Sequence, residues 1–174
     1  MGLFGIGTYQ SIAGGVQVGN GWVPVSQAAA TTLRNPYDGV YGGVYGYVLD
    51  MRIRAPKQVV HTPAPVISLD NLGQPVVRGY PQVTWAYSTL RPDYWYYLLN
   101  IYNQSARQPP GFQYQVLLRY PAPDGFNTPM QALARMDPPV HSFRTVAVYA
   151  GVLLRFTYIG QAVLNTSAQI LVFS

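Results

Sequence analysis

Apolar positions along this chain recur at period two far more often than at helical spacing. Tyr45, Tyr47, Leu49, Met51 and Ile53 alternate with Gly46, Val48, Asp50, Arg52 and Arg54, which predicts an amphipathic strand ending before Pro56. Gln58–Thr62 reads as a second extended segment, running into Pro63-Ala64-Pro65 where helix is excluded. Asp70-Asn71-Leu72-Gly73 predicts a turn, and extended stretches follow at 75–81 and 82–87, with Val83, Trp85 and Tyr87 on one face. Residues 112–120 alternate like a strand. Residues 140–149 and 151–159 read as a long hairpin joined at Ala150-Gly151, and 168–173 close the chain as an apolar strand.

One segment breaks this rhythm. Leu90-Arg91-Pro92-Asp93 opens a helix, with proline where a first-turn N–H is expendable and aspartate beside the positive dipole end. Behind it Trp95, Leu98, Leu99 and Tyr102 recur at i, i+3, i+4 and i+7, an apolar stripe on a helix of about 92–104 that should lie on the sheet. Pro109-Pro110-Gly111 stops any continuation. A second, short helix is expected over 128–136, capped by Thr128 with Pro129 at its first position.

The first 47 residues are rich in Gly and Tyr. Asn20-Gly21 between Val16-Gln17-Val18 and Trp22-Val23 predicts a hairpin. The remainder, from Met1-Gly2-Leu3-Phe4 through the Tyr37–Tyr47 run, reads as an arm. The fold class expected is mainly β: an antiparallel β-sandwich or partly closed barrel with one packed α-helix, in a single domain over 1–174 whose residues 1–47 form a Gly/Tyr-rich arm and hairpin region.

Composition changes the picture in one respect. Only 10% of residues are charged, against roughly 25% in ordinary globular chains, while 49% are hydrophobic and 14% aromatic. All six acids are Asp, and Lys57 is the only lysine beside ten arginines. Such a chain has little ionised surface with which to cover itself, so part of its exterior is expected to be hidden against other subunits. Tyr37, Tyr41, Tyr45 and Tyr47 are the candidate interface rings. Arg52 and Arg54 are the candidate charges that meet an Asp of a neighbour or face DNA phosphate. The net charge of +5 is spread along the chain without a basic run, so charge alone names no partner.

Catalytic chemistry finds little support. The six aspartates stand at 38, 50, 70, 93, 124 and 137, with no two close enough in sequence to read as a pair, and most read as turn-formers and caps. With no Cys, metal binding would fall to His61, His141 and the aspartates, which lack a ligand spacing. Both histidines read as structural strand residues. There is no G-x-S-x-G and no phosphate-cradling glycine loop. No enzyme, cofactor or metal is expected. Neither a secretory signal nor an apolar run long enough to span a membrane is present, so a soluble chain is expected.

The stretch Gly73-Gln74-Pro75-Val76-Val77-Arg78-Gly79-Tyr80-Pro81-Gln82-Val83-Thr84-Trp85, followed by Leu90-Arg91-Pro92-Asp93-Tyr94-Trp95 opening a helix, resembles a pattern met in tail-tube-like structural proteins of long-tailed bacteriophages. The closing Phe143-Arg144-Thr145-Val146-Ala147-Val148 to Gly151-Val152-Leu153-Leu154-Arg155-Phe156-Thr157 is similar to their late strands. The likeness covers segments 73–104 and 140–159. It implies a virion protein of the phage tail, made in the host cytoplasm, whose subunits form hexameric rings that stack into a conduit for genomic DNA. Its partners would be copies of itself, other virion proteins and, in weak passing contact, double-stranded DNA. The net basic charge departs from the acidic lumens of that family. Two alternatives stand beside it: a capsid decoration or head-to-tail joining protein, and a carbohydrate-binding β-sandwich using Trp22, Trp85 and tyrosine faces.

Overall fold

The computed structural model describes residues 3–11, 16–18, 21–23, 45–122, 129–159 and 170–173. It is mainly β with one long helix, as the alternation predicts. The strands are β1 (Phe4–Ser11), β2 (Val16–Val18), β3 (Gly21–Val23), β4 (Tyr45–Ile53), β5 (Gln58–Thr62), β6 (Val66–Leu69), β7 (Pro75–Val77) and β8 (Gln82–Leu90). Helix α1 (Pro92–Ala106) follows, then β9 (Gln115–Pro121), β10 (Pro129–Met136), β11 (Phe143–Arg144), β12 (Tyr149–Tyr158) and β13 (Ile170–Phe173). Among the described residues, no helix is long and apolar enough to cross a membrane.

The main sheet runs β13-β4-β1-β9-β10-β12-β8-β5, with β11 paired to β12. Its pairings are antiparallel except β13 on β4, which is parallel. Four strand spacings separate β1 from β8, about 19 Å in a flat sheet. Yet the Phe4 and Trp85 rings meet edge to face with centroids 5.1 Å apart. His61 on β5 and Tyr120 on β9, also four strands apart, stack at 5.8 Å. The sheet has therefore rolled up on its own inner face, without closing into a barrel. The roll encloses the main core, which gathers Val83, Trp85 and Tyr87, Val116, Leu118 and Tyr120, and Val152, Leu154 and Phe156.

Helix α1 seats on that core. Pro92 and Asp93 open it as expected, and it runs on to Ala106. Its buried residues are Tyr94, Trp95, Leu98, Ile101 and Ser105, so the stripe of Trp95, Leu98, Leu99 and Tyr102 needs correcting. Trp95 and Leu98 face inward and Tyr102 packs at the margin, but Leu99 belongs to neither core cluster. The helix is rotated toward Tyr94 and Ile101, because Tyr94 must reach β4 and Trp95 stacks on Tyr149 at 4.8 Å. Beyond its end, the buried Gln108 accepts the Tyr9 N–H through Oε1 (2.7 Å) and donates through Nε2 to the Gln115 carbonyl (2.8 Å), bolting the post-helix turn to two strands.

Four further expectations meet the structure differently. Residues 129–136 form strand β10, not a helix, pairing with β9 from Pro129↔Pro121 to Arg135↔Gln115; the expected Thr128 cap lies outside the described residues. The helix-favouring residues of β10 are overridden because β9 and β12 need a strand between them, and Ala134 and Met136 fill the core there. The late hairpin turns at 145–148 rather than at 150–151. Thr145 accepts the Val148 N–H on Oγ1 (3.0 Å) and donates its own N–H to the Val148 carbonyl (2.9 Å). Gly151 lies inside β12 with φ +62°, where a Cβ would collide with Ser142. Phe4–Ser11, expected in an arm, is an interior strand between β4 and β9.

The fourth concerns β4, whose residues are buried on both faces over 46–51. A bulge shifts its register from Ile6↔Asp50 to Phe4↔Ile53, so two residues, Met51 and Arg52, stand opposite Gly5. Tyr47, Leu49 and Met51 form a second cluster with Tyr9 and Leu117, while Ile53 crosses to the main core. Gly5 permits this close approach, since a Cβ there would stand 2.5 Å from the Met51 sulfur. The expected early hairpin is present as β2 on β3, but its register sets Val18 opposite Gly21, which makes Gly21 a strand residue; Asn20 lies outside the described residues.

Candidate functional site

The bulge that redirects β4 also builds its polar cluster. Asp50 is 3% exposed, on the inner face beneath α1. A carboxylate so placed needs donors on every side. Arg52 supplies a fork, Nε to Oδ1 at 3.0 Å and Nη2 to Oδ2 at 3.1 Å, and adds its backbone N–H at 3.0 Å. The Tyr97 hydroxyl donates to Oδ2 from the helix. The hydrogen bond to Asp50 raises the Arg52 guanidinium pKa, whereas burial, followed by that same carboxylate, raises the Tyr97 phenol.

One residue pair on, the Tyr94 hydroxyl accepts the Arg54 N–H (2.7 Å) and Tyr87 donates to the Arg54 carbonyl (3.0 Å). The Arg54 guanidinium lies 4.7 Å over the Tyr94 ring. Arg52 thus pairs with an Asp of its own chain, while its side chain stays 48% exposed. The cluster clamps β4 to α1.

The candidate interface tyrosines divide. Tyr47 is 4% exposed and packs on Tyr9 at 5.2 Å, so it is a core residue and not an interface residue. Its phenol is pushed up chiefly by burial. Tyr45 pairs its backbone with Ser11; its side chain, like Tyr37 and Tyr41, lies outside the described residues, as does the side chain of Trp22. Trp85 is fully buried and offers no face to a sugar.

His61 stacks on Tyr120, with partial burial lowering its imidazolium pKa. His141 stands edge-on to Trp95 and Tyr149, 5.0 Å from each. Among the described residues no three of His, Cys, Asp and Glu come together as metal ligands would.

The surface that sequence reasoning missed is the connection between β5 and β8. Thr62 pairs with Gln82, Arg78 donates to the Pro65 carbonyl at 3.0 Å, and Val66 pairs with Val77, so β5-β6 and β7-β8 make one long ribbon. Every residue of β6 and β7 is exposed. The exposed side chains include Val66, Ile67, Leu69, Val76, Val77 and, at the tip, Leu72 at 85%. The tip is the predicted turn: Asp70 Oδ1 accepts the Leu72 and Gln74 N–H groups, both at 2.8 Å, with Gly73 at φ +76°. A sequence signal did exist. Residues 66–77 lack the polar alternation of a strand with one wet face, and Pro63-Ala64-Pro65 and Gly79-Tyr80-Pro81 flank them.

Comparison with protein-family models, with curated proteins and with solved structures found no match to this chain.

Proposed function

We propose that this chain is a virion structural protein: a phage tail tube subunit that assembles with copies of itself into stacked rings, forming a conduit for genomic DNA. The observation that carries the reading is the ribbon over 63–81, apolar on both faces and left uncovered by the other described residues. An apolar projection of this kind marks a contact surface, and a two-stranded hairpin without a covering layer is marginal in water. Partner subunits would supply the missing cover. The likeness of segments 73–104 and 140–159 to tail-tube-like proteins points the same way.

Negative-stain images and light scattering of the purified chain test the proposal. Rings or tubes are expected. A monodisperse monomer at high concentration would overturn it, and a discrete trimeric knob would favour the decoration or joining alternative.

A further inference from the structure

The rolled interior holds polar groups that its own side chains leave unpaired. Trp85 and Tyr120 are wholly buried, yet the Trp85 Nε1 and the Tyr120 hydroxyl have no hydrogen-bond partner. The hydroxyl of Tyr158, buried although the residue as a whole is only partly so, has none either. Two other side chains keep a buried polar atom unpaired, Gln104 and Gln131, but they belong to α1 and to the outer face of β10, opposite Arg119. The aromatic three come from β8, β9 and β12, so they stand on both halves of the roll.

The three share one neighbourhood. Trp85 meets Tyr120 edge to face with centroids 5.8 Å apart, and meets Phe156 at 5.0 Å. Tyr158 is two residues beyond Phe156 on the same face of β12 and packs against the same core. The side chains around them supply little. Phe4, against Trp85, and Val83, opposite both His61 and Phe156, are apolar. Met130, opposite Tyr120, offers only a weak thioether acceptor.

Charge narrows what could fill the gap. Strands β1, β5, β8, β9, β10 and β12 carry no acid, and their three arginines, Arg119, Arg135 and Arg155, alternate with core residues and so lie on the outer face. An ion would find no counter-charge there. The indole N–H can only donate, so the guest must accept, while phenols both donate and accept. Water meets both demands in the least space. Native interiors leave few polar groups unpaired, and an enclosed water with about three hydrogen bonds is the common remedy.

We infer that Trp85 Nε1 and the hydroxyls of Tyr120 and Tyr158 together hold one internal water, which ties the β9 half of the roll to the β8–β12 half. The inference is independent of the tail-tube reading. It gives the apolar interior one polar point at which the two halves are matched.

Removing one hydroxyl at a time tests it, because phenylalanine keeps the ring. If the Tyr120 phenol is merely unpaired, or if its ring takes the indole N–H, Tyr120→Phe discards an unsatisfied group and melts at or above the parent temperature. If the hydroxyl holds water, the same change strips the water of a partner and leaves Trp85 unpaired, so Tm should fall by about 2–8 °C at equal chain concentration. Tyr158→Phe should act likewise, and the double variant should lose less than the sum, since both changes empty one site. Single variants as stable as the parent, or losses that simply add, would overturn the inference. Density from crystals of the parent, or from cryo-electron images of an assembled form, should show a water within hydrogen-bonding reach of Trp85 Nε1. A larger molecule there, or continuous packed side chains, would overturn it as well.

Discussion

Replacing Leu98 with alanine tests whether α1 is anchored to the rolled sheet as described. Leu98 is wholly buried in the main core, at the centre of the helix's inward face. The substitution removes three carbons, a transfer loss of about 2.4 kcal/mol at ~0.8 kcal/mol for each buried methylene. The cavity left behind raises the cost, because the core around Leu98 is held from above by helix and from below by sheet and can collapse only partly; about 3–4 kcal/mol is expected. In a chain of this size that lowers Tm by roughly 6–16 °C. The assay is thermal denaturation followed by circular dichroism, with parent and variant at equal chain concentration, since self-association alone shifts Tm. Leu99→Ala is the internal control, with an expected cost of about 1 kcal/mol or less because Leu99 lies outside both clusters. A Leu98 variant melting with the parent, or a Leu99 variant that loses as much, would refute the placement of the helix.

Gly5→Ala should destabilise by about 1–3 kcal/mol through overpacking against Met51, more than the ~0.4–1 kcal/mol that the lost unfolded-state freedom returns. Urea denaturation of the single and double variants checks this, since Met51→Ala should remove most of the penalty and an unrelieved double variant would locate the strain elsewhere. Burial raises the phenols of Tyr47, Tyr87 and Tyr97, and lifts Tyr158 to about 12, from an ordinary value of 10.0. The unfolded chain releases these protons first, so stability is intact below pH 10 and falls as pH rises above it. Phenolate absorbance near 295 nm should therefore appear in two phases, the second coincident with loss of the β circular dichroism signal. Titration of all fifteen tyrosines at the ordinary midpoint in a folded chain would contradict the burial.

Local patterns were legible in the sequence where one neighbourhood decided the outcome. Val83, Trp85 and Tyr87 fall on the core face as their spacing predicts, and Pro92 with Asp93 marks the helix start. The Asp70–Gly73 turn likewise follows from its own residues. What escaped was decided at a distance. Ile53 changes face because Gly5, far away in sequence, leaves room for a bulge. Residues 129–136 are strand because two other strands require one between them. Gln108 carries no pattern at all, yet it ties the turn after α1 to β1 and β9. For Tyr47 and Arg52 the residue type promised contact with other molecules; Tyr47 packs instead in the second cluster, and Arg52, its side chain still half exposed, pairs with Asp50 of the same chain.

The same distinction bears on the ribbon, where no distant part of the described chain arrives to settle the outcome. Strand β8 pairs with β12 as far as Gln82↔Thr157, followed by a last Tyr158 N–H donated to the Pro81 carbonyl at 3.0 Å, so beyond that point only two strands of the described chain continue. The roll that brings β5 and β8 over β9 covers their inner face up to His61 and Tyr120, and it leaves everything past Thr62 outside. A ribbon with one apolar face could lie back along the sheet and bury it, but one with apolar residues on both faces would still leave half of them wet. Its composition fits a site enclosed from more than one side, which the geometry of successive layers in a stacked assembly would provide.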